Sequence, residues 1–132
     1  MSNAQKISDA EHTVMECLWR RGGATGSEVV ADLTAVTKWK PSTILTMLRR
    51  LKDKGVVDAD SSGREMRYTP LVTEDECREA AGSSFVERFF GGSLMPMLAH
   101  FTTSGKLTRK EREHLRRLLD ESEKTNRKNP GK

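Results

Sequence analysis

One short pattern constrains the fold of this chain more than any other feature: a Ser or Thr is followed three residues later by Glu. In such a capping box the hydroxyl accepts a hydrogen bond from the backbone N–H of the Glu, whose side chain reaches back to the N–H of the first residue. Each pair precedes a stretch of helical periodicity, so the sequence predicts four helix starts. The four pairs are Ser8 and Glu11, Thr25 and Glu28, Thr73 and Glu76, and Thr108 and Glu111.

The first 72 residues contain three predicted helices. The first runs from about Asp9 to Arg21 and the second from about Gly26 to Thr34. The third begins at Pro41, which suits the first position of a helix, and ends before Gly55, which suits a left-handed cap. Helical spacing assigns an apolar stripe to each helix: Val14, Met15 and Leu18; Val29, Val30 and Leu33; Ile44, Met47, Leu48 and Leu51.

A β-hairpin is predicted directly after the third helix. Val56 and Val57 begin one strand, residues 61–63 (Ser-Ser-Gly) form the turn, and Met66, Tyr68 and Leu71 alternate along the return strand. Three helices followed by a hairpin form the winged helix-turn-helix pattern, in which the third helix enters the major groove of DNA. We therefore predict a mainly α fold of the α+β winged-helix type, in which Trp19 and Trp39 are core residues.

The remaining residues have a different texture and are predicted to form a helical dimerisation segment. Helices are expected at about Glu74–Phe90, Leu94–Phe101 and Arg109–Glu123. A helical segment of this size buries little of its own apolar surface, so we expect self-association to cover that surface. The predicted domains are 1–72, 73–124 and a disordered tail at 125–132. Candidate dimerisation residues are Phe85, Phe89, Leu94, Met97, Leu98, Phe101, Leu115, Leu118 and Leu119.

The outer face of the third helix carries hydroxyl and guanidinium groups, and Asp53 is the only acidic residue from 40 to 57. Such groups suit base edges and phosphates. Thr43, Thr46 and Arg50 lie on this face in the first turns and are the candidates for base contacts. The candidates for contacts to the DNA backbone are Lys38, Lys40, Ser42, Arg49 and Lys52 near this helix, and Arg64 and Arg67 in the hairpin.

Composition is compatible with nucleic-acid binding and argues against other classes. The 132 residues carry a net charge of +4. Cys17 and Cys77 are solitary, which favours a reducing cytoplasm and predicts neither a disulfide framework nor a metal site. No apolar run is long enough to span a bilayer. No catalytic constellation or phosphate-binding Gly loop stands out, so we predict neither an enzyme nor a bound cofactor.

Several runs of the sequence resemble one known family. These runs are ISDAEHTVMECLW, WKPSTILTMLRRLKDKGVV, REMRYTPLV, FVERFFGGSLMPMLAHF and LTRKEREHLRRLLDE, which together span roughly residues 7–122. They are similar to the penicillinase-repressor family of BlaI and MecI, which also has copper-responsive members. Thr43, Thr46 and Arg50 match the recognition-helix pattern of that family, whereas Ser42 and Leu45 stand where better-known members carry basic residues.

The resemblance implies a homodimeric repressor whose winged helix binds half of a palindromic DNA operator. In the beta-lactam branch, a membrane metallopeptidase sensor triggers proteolysis of an Asn-Phe bond in the dimerisation segment. The corresponding candidate site here is His100-Phe101, in which only Phe101 matches. The copper branch carries a cysteine-rich C-terminal metal site, and this chain has no cysteine after Cys77. The partners implied are operator DNA, a second copy of the chain, and a membrane metallopeptidase sensor or a downstream protease.

Two other functions share the same fold. A winged-helix regulator can bind a small molecule between its two halves and release DNA in response. A winged helix can also serve only for protein contacts. Binding of a small molecule would distinguish the first alternative, and the absence of salt-dependent DNA binding would distinguish the second.

Overall fold

The computed structural model describes residues 7–128 and places helices where the sequence predicts them. The first helix ends at Arg21 and the third begins at Pro41, as predicted. The helix predicted to end near Phe101 continues to Thr103, and the last helix continues to Lys128. The elements in chain order are α1 (Asp9–Arg21), β1 (Ala24–Thr25), α2 (Gly26–Thr34), α3 (Pro41–Asp53), β2 (Val57–Asp60), β3 (Arg67–Pro70), α4 (Glu74–Phe90), α5 (Leu94–Thr103) and α6 (Arg109–Lys128).

All four predicted capping boxes are formed. At the start of α1, the Glu11 N–H donates to Ser8 Oγ at 3.2 Å and the Ser8 N–H donates to Glu11 Oε1 at 2.9 Å. The same reciprocal pair of bonds starts α2, α4 and α6. Two of the otherwise unpaired N–H groups of each helix start are thereby satisfied by local sequence alone.

Glycines end two of the three helices of the winged domain, α1 and α3. Gly22 follows α1 with a φ of 68°, and Gly55 follows α3 with a φ of 79°. The next N–H in each case reaches back to the helix: Gly23 N donates to Leu18 O at 2.9 Å, and Val56 N donates to Leu51 O at 3.1 Å. This is the Schellman arrangement, and it needs a left-handed residue that glycine adopts without strain.

The wing is the hairpin formed by β2, β3 and the turn between them. It is part of a three-stranded antiparallel sheet with the order β1-β3-β2. Ala59 of β2 and Ala24 of β1 both pair with Tyr68 of β3. The sequence analysis missed β1, which is only two residues long. The predicted alternation was correct for Tyr68, which is buried, but wrong for Met66 and Leu71, which lie outside β3 and are exposed.

The predicted apolar stripes of α1, α2 and α3 meet in one core. Trp19 and Trp39 pack against this core but are only partly buried, so their prediction as core residues needs that correction. The Trp19 indole N–H also donates to Val72 O at 2.9 Å, where the chain leaves the wing. The buried residues of this core are Val14, Met15, Cys17, Leu18, Ala24, Val29, Leu33, Ile44, Met47, Leu48, Leu51, Val56, Val57 and Tyr68.

The chain divides into two compact units, one ending at Phe85 and the other beginning at Val86, so the division falls within α4. Among the described residues of the second unit, Val86 alone is buried. The predicted functional boundary at residue 72 stays a prediction. Residues 125–128 of the predicted disordered tail are helical, and residues 129–132 of that tail lie outside the described residues.

Candidate nucleic-acid interface

Helix α3 presents one buried and one exposed face. Ile44, Leu48 and Leu51 have no exposed surface, which fixes the rotation of the helix about its axis. Burial of each of these aliphatic side chains stabilises the fold by roughly 1.5–3 kcal/mol. The packing of the buried face therefore keeps the opposite face of α3 turned outward. The exposed predicted residues on and beside this helix are Lys38, Lys40, Ser42, Thr43, Thr46, Arg49, Arg50 and Lys52.

The three candidates for base contacts share one cleft. Thr43, Thr46 and Arg50 line it together with Ser42 and Trp39. The indole of Trp39 supplies an apolar wall, while a hydroxyl and a guanidinium group supply hydrogen-bonding capacity. This combination of flat apolar surface, hydroxyl and planar cation can contact both base edges and sugar-phosphate groups. Arg49, Lys52 and the remaining predicted cations do not line this cleft.

The hydroxyl group of Thr46 is already engaged with the backbone. Its Oγ1 donates to the carbonyl oxygen of Ser42, one turn earlier, at 2.9 Å. Such a bond uses the hydroxyl proton and leaves the oxygen lone pairs and the methyl group for other contacts. Thr46 therefore suits an accepting or an apolar contact to a base more than a donating one.

The two predicted wing arginines occupy different places. Arg64 lies in the exposed turn between β2 and β3. Arg67 begins β3 opposite Thr25, and a Cβ added at Gly23 would lie 3.4 Å from its Nη2 atom. The backbone N–H of Thr25 holds the pKa of Glu28 below its usual range, and Arg67 adds to that effect. Arg64 is thus at the wing turn, whereas Arg67 lies beside the start of α2.

A second cleft runs along the other side of α3 and was not predicted. Leu45 of α3 lines it together with Ser27 of α2 and with Glu65 and Met66 of the wing. Leu45 packs against Gly26 so closely that a Cβ there would lie 3.2 Å from its Cδ2 atom. A side chain at position 26 would therefore require the Leu45 side chain to shift by a few tenths of an ångström. The sequence shows the Thr-Gly-Ser start of α2, but it does not show that Leu45 of α3 packs against this start.

An ion pair at the end of α3 was also missed. Glu11 of the first capping box is buried, with 3% of its surface exposed, and its carboxylate accepts a hydrogen bond from the Lys54 ammonium group. Burial by itself would raise the pKa of Glu11, but the hydrogen bonds from Lys54 and from the Ser8 N–H outweigh burial and lower it. Because Lys54 directly follows α3, this pair ties the start of α1 to the end of the candidate recognition helix.

Polar groups also join α1 to α2. Asp32 accepts hydrogen bonds from the Arg21 guanidinium group at 2.7 and 2.9 Å and from the Cys17 thiol at 3.3 Å. The hydrogen bond from Arg21 lowers the pKa of Asp32 to about 2, and burial raises the pKa of the Cys17 thiol. Cys17 is therefore a buried, neutral core residue in this structure.

The second unit exposes many of the apolar side chains predicted to form a dimer. Four of them have exposed fractions between 50% and 61%: Phe89, Leu94, Leu118 and Leu119. Phe85 of the first unit is also exposed, whereas Met97, Leu98, Phe101 and Leu115 are half-buried. Helix α5 has no buried residue. These exposures accord with the predicted dimerisation surface, which stays a prediction.

Comparison with known proteins decides the family. Residues 7–121 match the family model described as penicillinase repressor. This chain belongs to the penicillinase-repressor family. The penicillinase repressor of Bacillus licheniformis is 36% identical over 121 residues, which cover 92% of this chain and 94% of that protein. The methicillin resistance regulatory protein MecI of Staphylococcus aureus is 27% identical over 115 residues, or 87% of this chain and 94% of that protein.

A solved structure places the similarity on the winged domain of this family member. The solution structure of the DNA-binding domain of the repressor BlaI is similar with a TM-score of 0.52 and 38% identity, and the match covers 58% of this chain and 93% of that domain. The predicted winged-helix fold and the resemblance to BlaI and MecI are thereby confirmed. Penicillinase repressors are transcriptional regulators, which also confirms that this chain is not an enzyme.

Two kinds of feature are absent from the described residues of this family member. Across residues 7–128, no helix is both long and apolar enough to cross a membrane. The same part of the chain contains no group of three or more His, Cys, Asp or Glu side chains placed to hold a metal ion.

Proposed function

We propose that this protein is a cytoplasmic transcriptional repressor that binds a pseudo-palindromic DNA operator as a homodimer. The observation that carries the proposal is the exposed face of α3, where Thr43, Thr46 and Arg50 share a cleft while the opposite face of the helix is buried in the core. Membership of a repressor family supports it. Fluorescence anisotropy with a labelled fragment of the protein's own promoter tests it, and equal binding to random DNA would refute it.

Base contacts from Arg50 predict a loss at one position of the operator. A guanidinium group can bond guanine in a bidentate way, so Arg50→Ala should cost roughly 1–3 kcal/mol and relax the preference at that base pair. Lys52 is the matched control, because it is a nearby exposed cation on the same helix outside the cleft. Lys52→Ala should weaken binding to all DNA sequences alike. It should also reduce the slope of log affinity against log salt concentration by about one unit.

Dimer formation is supported by the exposed apolar surface of the second unit, in whose described part Val86 alone is buried. A two-fold dimer presents two winged domains, so the two half-sites should lie about one helical turn of DNA, or a small multiple of it, apart. Sedimentation velocity at micromolar concentration should show a dimer. A monomer that binds only half-sites, with no gain from a second half-site, would contradict the proposal.

Relief of repression by proteolysis is a further part of the proposal. The candidate bond between His100 and Phe101 lies within α5, and the His100 ring contacts the Phe101 ring edge-on at a centroid distance of 5.1 Å. A protease needs the local backbone opened, and α5 suits this because none of its residues is fully buried. Mass spectrometry of the chain from induced cells should then find a fragment ending at His100. An intact chain under full derepression would count against cleavage.

A further inference from the structure

One carboxylate of the wing lies beside its two arginines. Glu65 lies between Arg64 and Met66, just before Arg67 begins β3, and its side chain is exposed. A carboxylate close to the DNA backbone opposes binding, because each phosphate is itself negative. Asp58 and Asp60 of β2 are also acidic, so Glu65 is distinguished by its contacts and not by its charge alone.

The Glu65 carboxylate is held by a specific partner. Ser27 Oγ, in the first turn of α2, donates a hydrogen bond to it. Directly beside this contact, the Gly26 N–H donates to the carbonyl oxygen of Met66 at 3.4 Å. One side-chain bond and one backbone bond therefore attach the start of the return strand to the start of α2.

This attachment lies beside the candidate recognition helix. Ser27 and Glu65 line the same cleft as Pro41 and Leu45, which belong to the first turns of α3. The contact thus joins the wing to α2 at the point where both approach α3. The contact is therefore placed, together with the β1–β3 pairing, to hold the wing relative to the helix that carries Thr43 and Thr46.

We propose that Glu65 is a positioning residue for DNA reading, and the inference rests on the proposed function. Through Ser27 it fixes the wing beside α3. Through its charge it lowers the affinity of the wing for any DNA backbone. These two effects are separable, since a neutral Gln retains a hydrogen-bond acceptor but removes the charge.

The charge is tested by Glu65→Gln. This variant should bind operator and random DNA about two- to fivefold more tightly, because an exposed charge contributes only modestly. Its salt dependence should steepen by up to about one unit. Glu79→Gln is the control, since it removes the same charge from an exposed position on α4. Equal gains in both variants would overturn the assignment to Glu65.

The positioning effect is tested by Ser27→Ala, which leaves Glu65 charged but without this donor. Operator affinity should fall about three- to tenfold, the range of one hydrogen bond to a charged group that is partly exposed. Affinity for random DNA should fall less, because the wing keeps its cations but loses its fixed place. Ser27→Thr retains a hydroxyl and should restore the wild-type preference. An equal fall for both DNAs, or no rescue by Thr, would overturn the positioning role.

The wild-type protein separates this inference from the proposed function. If the wild type does not prefer its promoter DNA, the proposed function fails. If the wild type prefers it while Glu65→Gln and Ser27→Ala both bind as the wild type does, the inference alone fails. Thermal unfolding of each variant, which should match the wild type within a few degrees, shows that the winged domain is intact.

Discussion

The two units of this chain start their helices in the same way and differ in what the helices bury. Ser8 and Thr25 cap helices of the first unit, and Thr108 caps α6 of the second, each through a reciprocal bond with a Glu. In the first unit these helices enclose a core, whereas in the described part of the second unit Val86 alone is buried. Local sequence therefore specifies the helices in both units, but within residues 7–128 only the first unit packs its helices around a buried core.

This difference corresponds to a division of labour. DNA reading requires side chains held at fixed positions, and the core of the first unit supplies the rigid support. The proposed subunit interface requires apolar surface that a single chain leaves open, and the second unit exposes such surface. The contrast makes four predictions, which follow in order of decreasing effect.

The largest effect is expected for a core truncation in the first unit. Leu48 has no exposed surface, and Leu48→Ala should lower the free energy of unfolding by about 2–5 kcal/mol through lost burial and a cavity. Urea unfolding followed by circular dichroism measures this. The matched change in the second unit is Leu119→Ala, at a site with 58% exposure, which should leave the unfolding of the first unit unchanged. Equal losses would contradict the comparison.

A smaller loss is expected from the Glu11–Lys54 pair. Glu11→Gln should cost about 2 kcal/mol, below the 3–5 kcal/mol of a fully buried broken pair, because the Lys54 side chain keeps 29% exposure. Since the folded pKa of Glu11 is below its ordinary value of 4.5, the wild type gains stability from the pair above that pH and loses it as pH falls through the folded pKa. The Gln variant should lack this acid dependence, and urea midpoints at pH 7 and pH 3 measure the difference.

A charge on the open face of the second unit should act on assembly and not on folding of the first unit. Leu118 is half exposed, and Leu118→Glu should weaken the dimer about tenfold or more by burying a charge in the interface. Lys124→Gln shifts the net charge by the same amount at an exposed position on the opposite face of α6 and should leave the dimer intact. Sedimentation across a concentration series measures both. An unchanged dimer in the Leu118 variant would place the interface elsewhere.

The smallest effect compares equivalent caps. Ser8→Ala should cost about 1 kcal/mol in the unfolding of the first unit, because it removes the acceptor for the Glu11 N–H. Thr108→Ala removes the same device from α6 and should change only the helicity of the second unit. Helix-resolved hydrogen exchange distinguishes the two outcomes. Loss of protection in α1 from the Thr108 variant would show that the units are coupled.

The sequence was sufficient where structure depends on neighbours along the chain. The capping boxes, the helix stops at Gly22 and Gly55 and the stripe of α3 are local patterns, and the structure confirms them. The fold class followed from their order. Strand β1 was not predicted because two residues show no alternation, and because their partner strand β3 lies far along the chain.

The candidate site was predictable for one helix and not between elements. Thr43, Thr46 and Arg50 share a helix face, so spacing alone places them together. The Glu11–Lys54 pair and the Ser27–Glu65 contact join residues far apart in the chain, and nothing in their local sequence names the partner. Trp39 was assigned to the core because large aromatic residues are usually buried, whereas it also lines the cleft of α3.

Both tryptophans of the chain belong to the first unit. Intrinsic fluorescence excited at the indole therefore monitors the winged domain without a label, and the second unit contributes no indole signal. Trp39, beside Thr43 and Arg50, is placed to sense occupancy of α3, while Trp19, bonded to Val72, senses the segment that leaves the wing. The variants Trp19→Phe and Trp39→Phe would separate the two signals. The remaining indole would then report either on α3 or on the segment that leaves the wing.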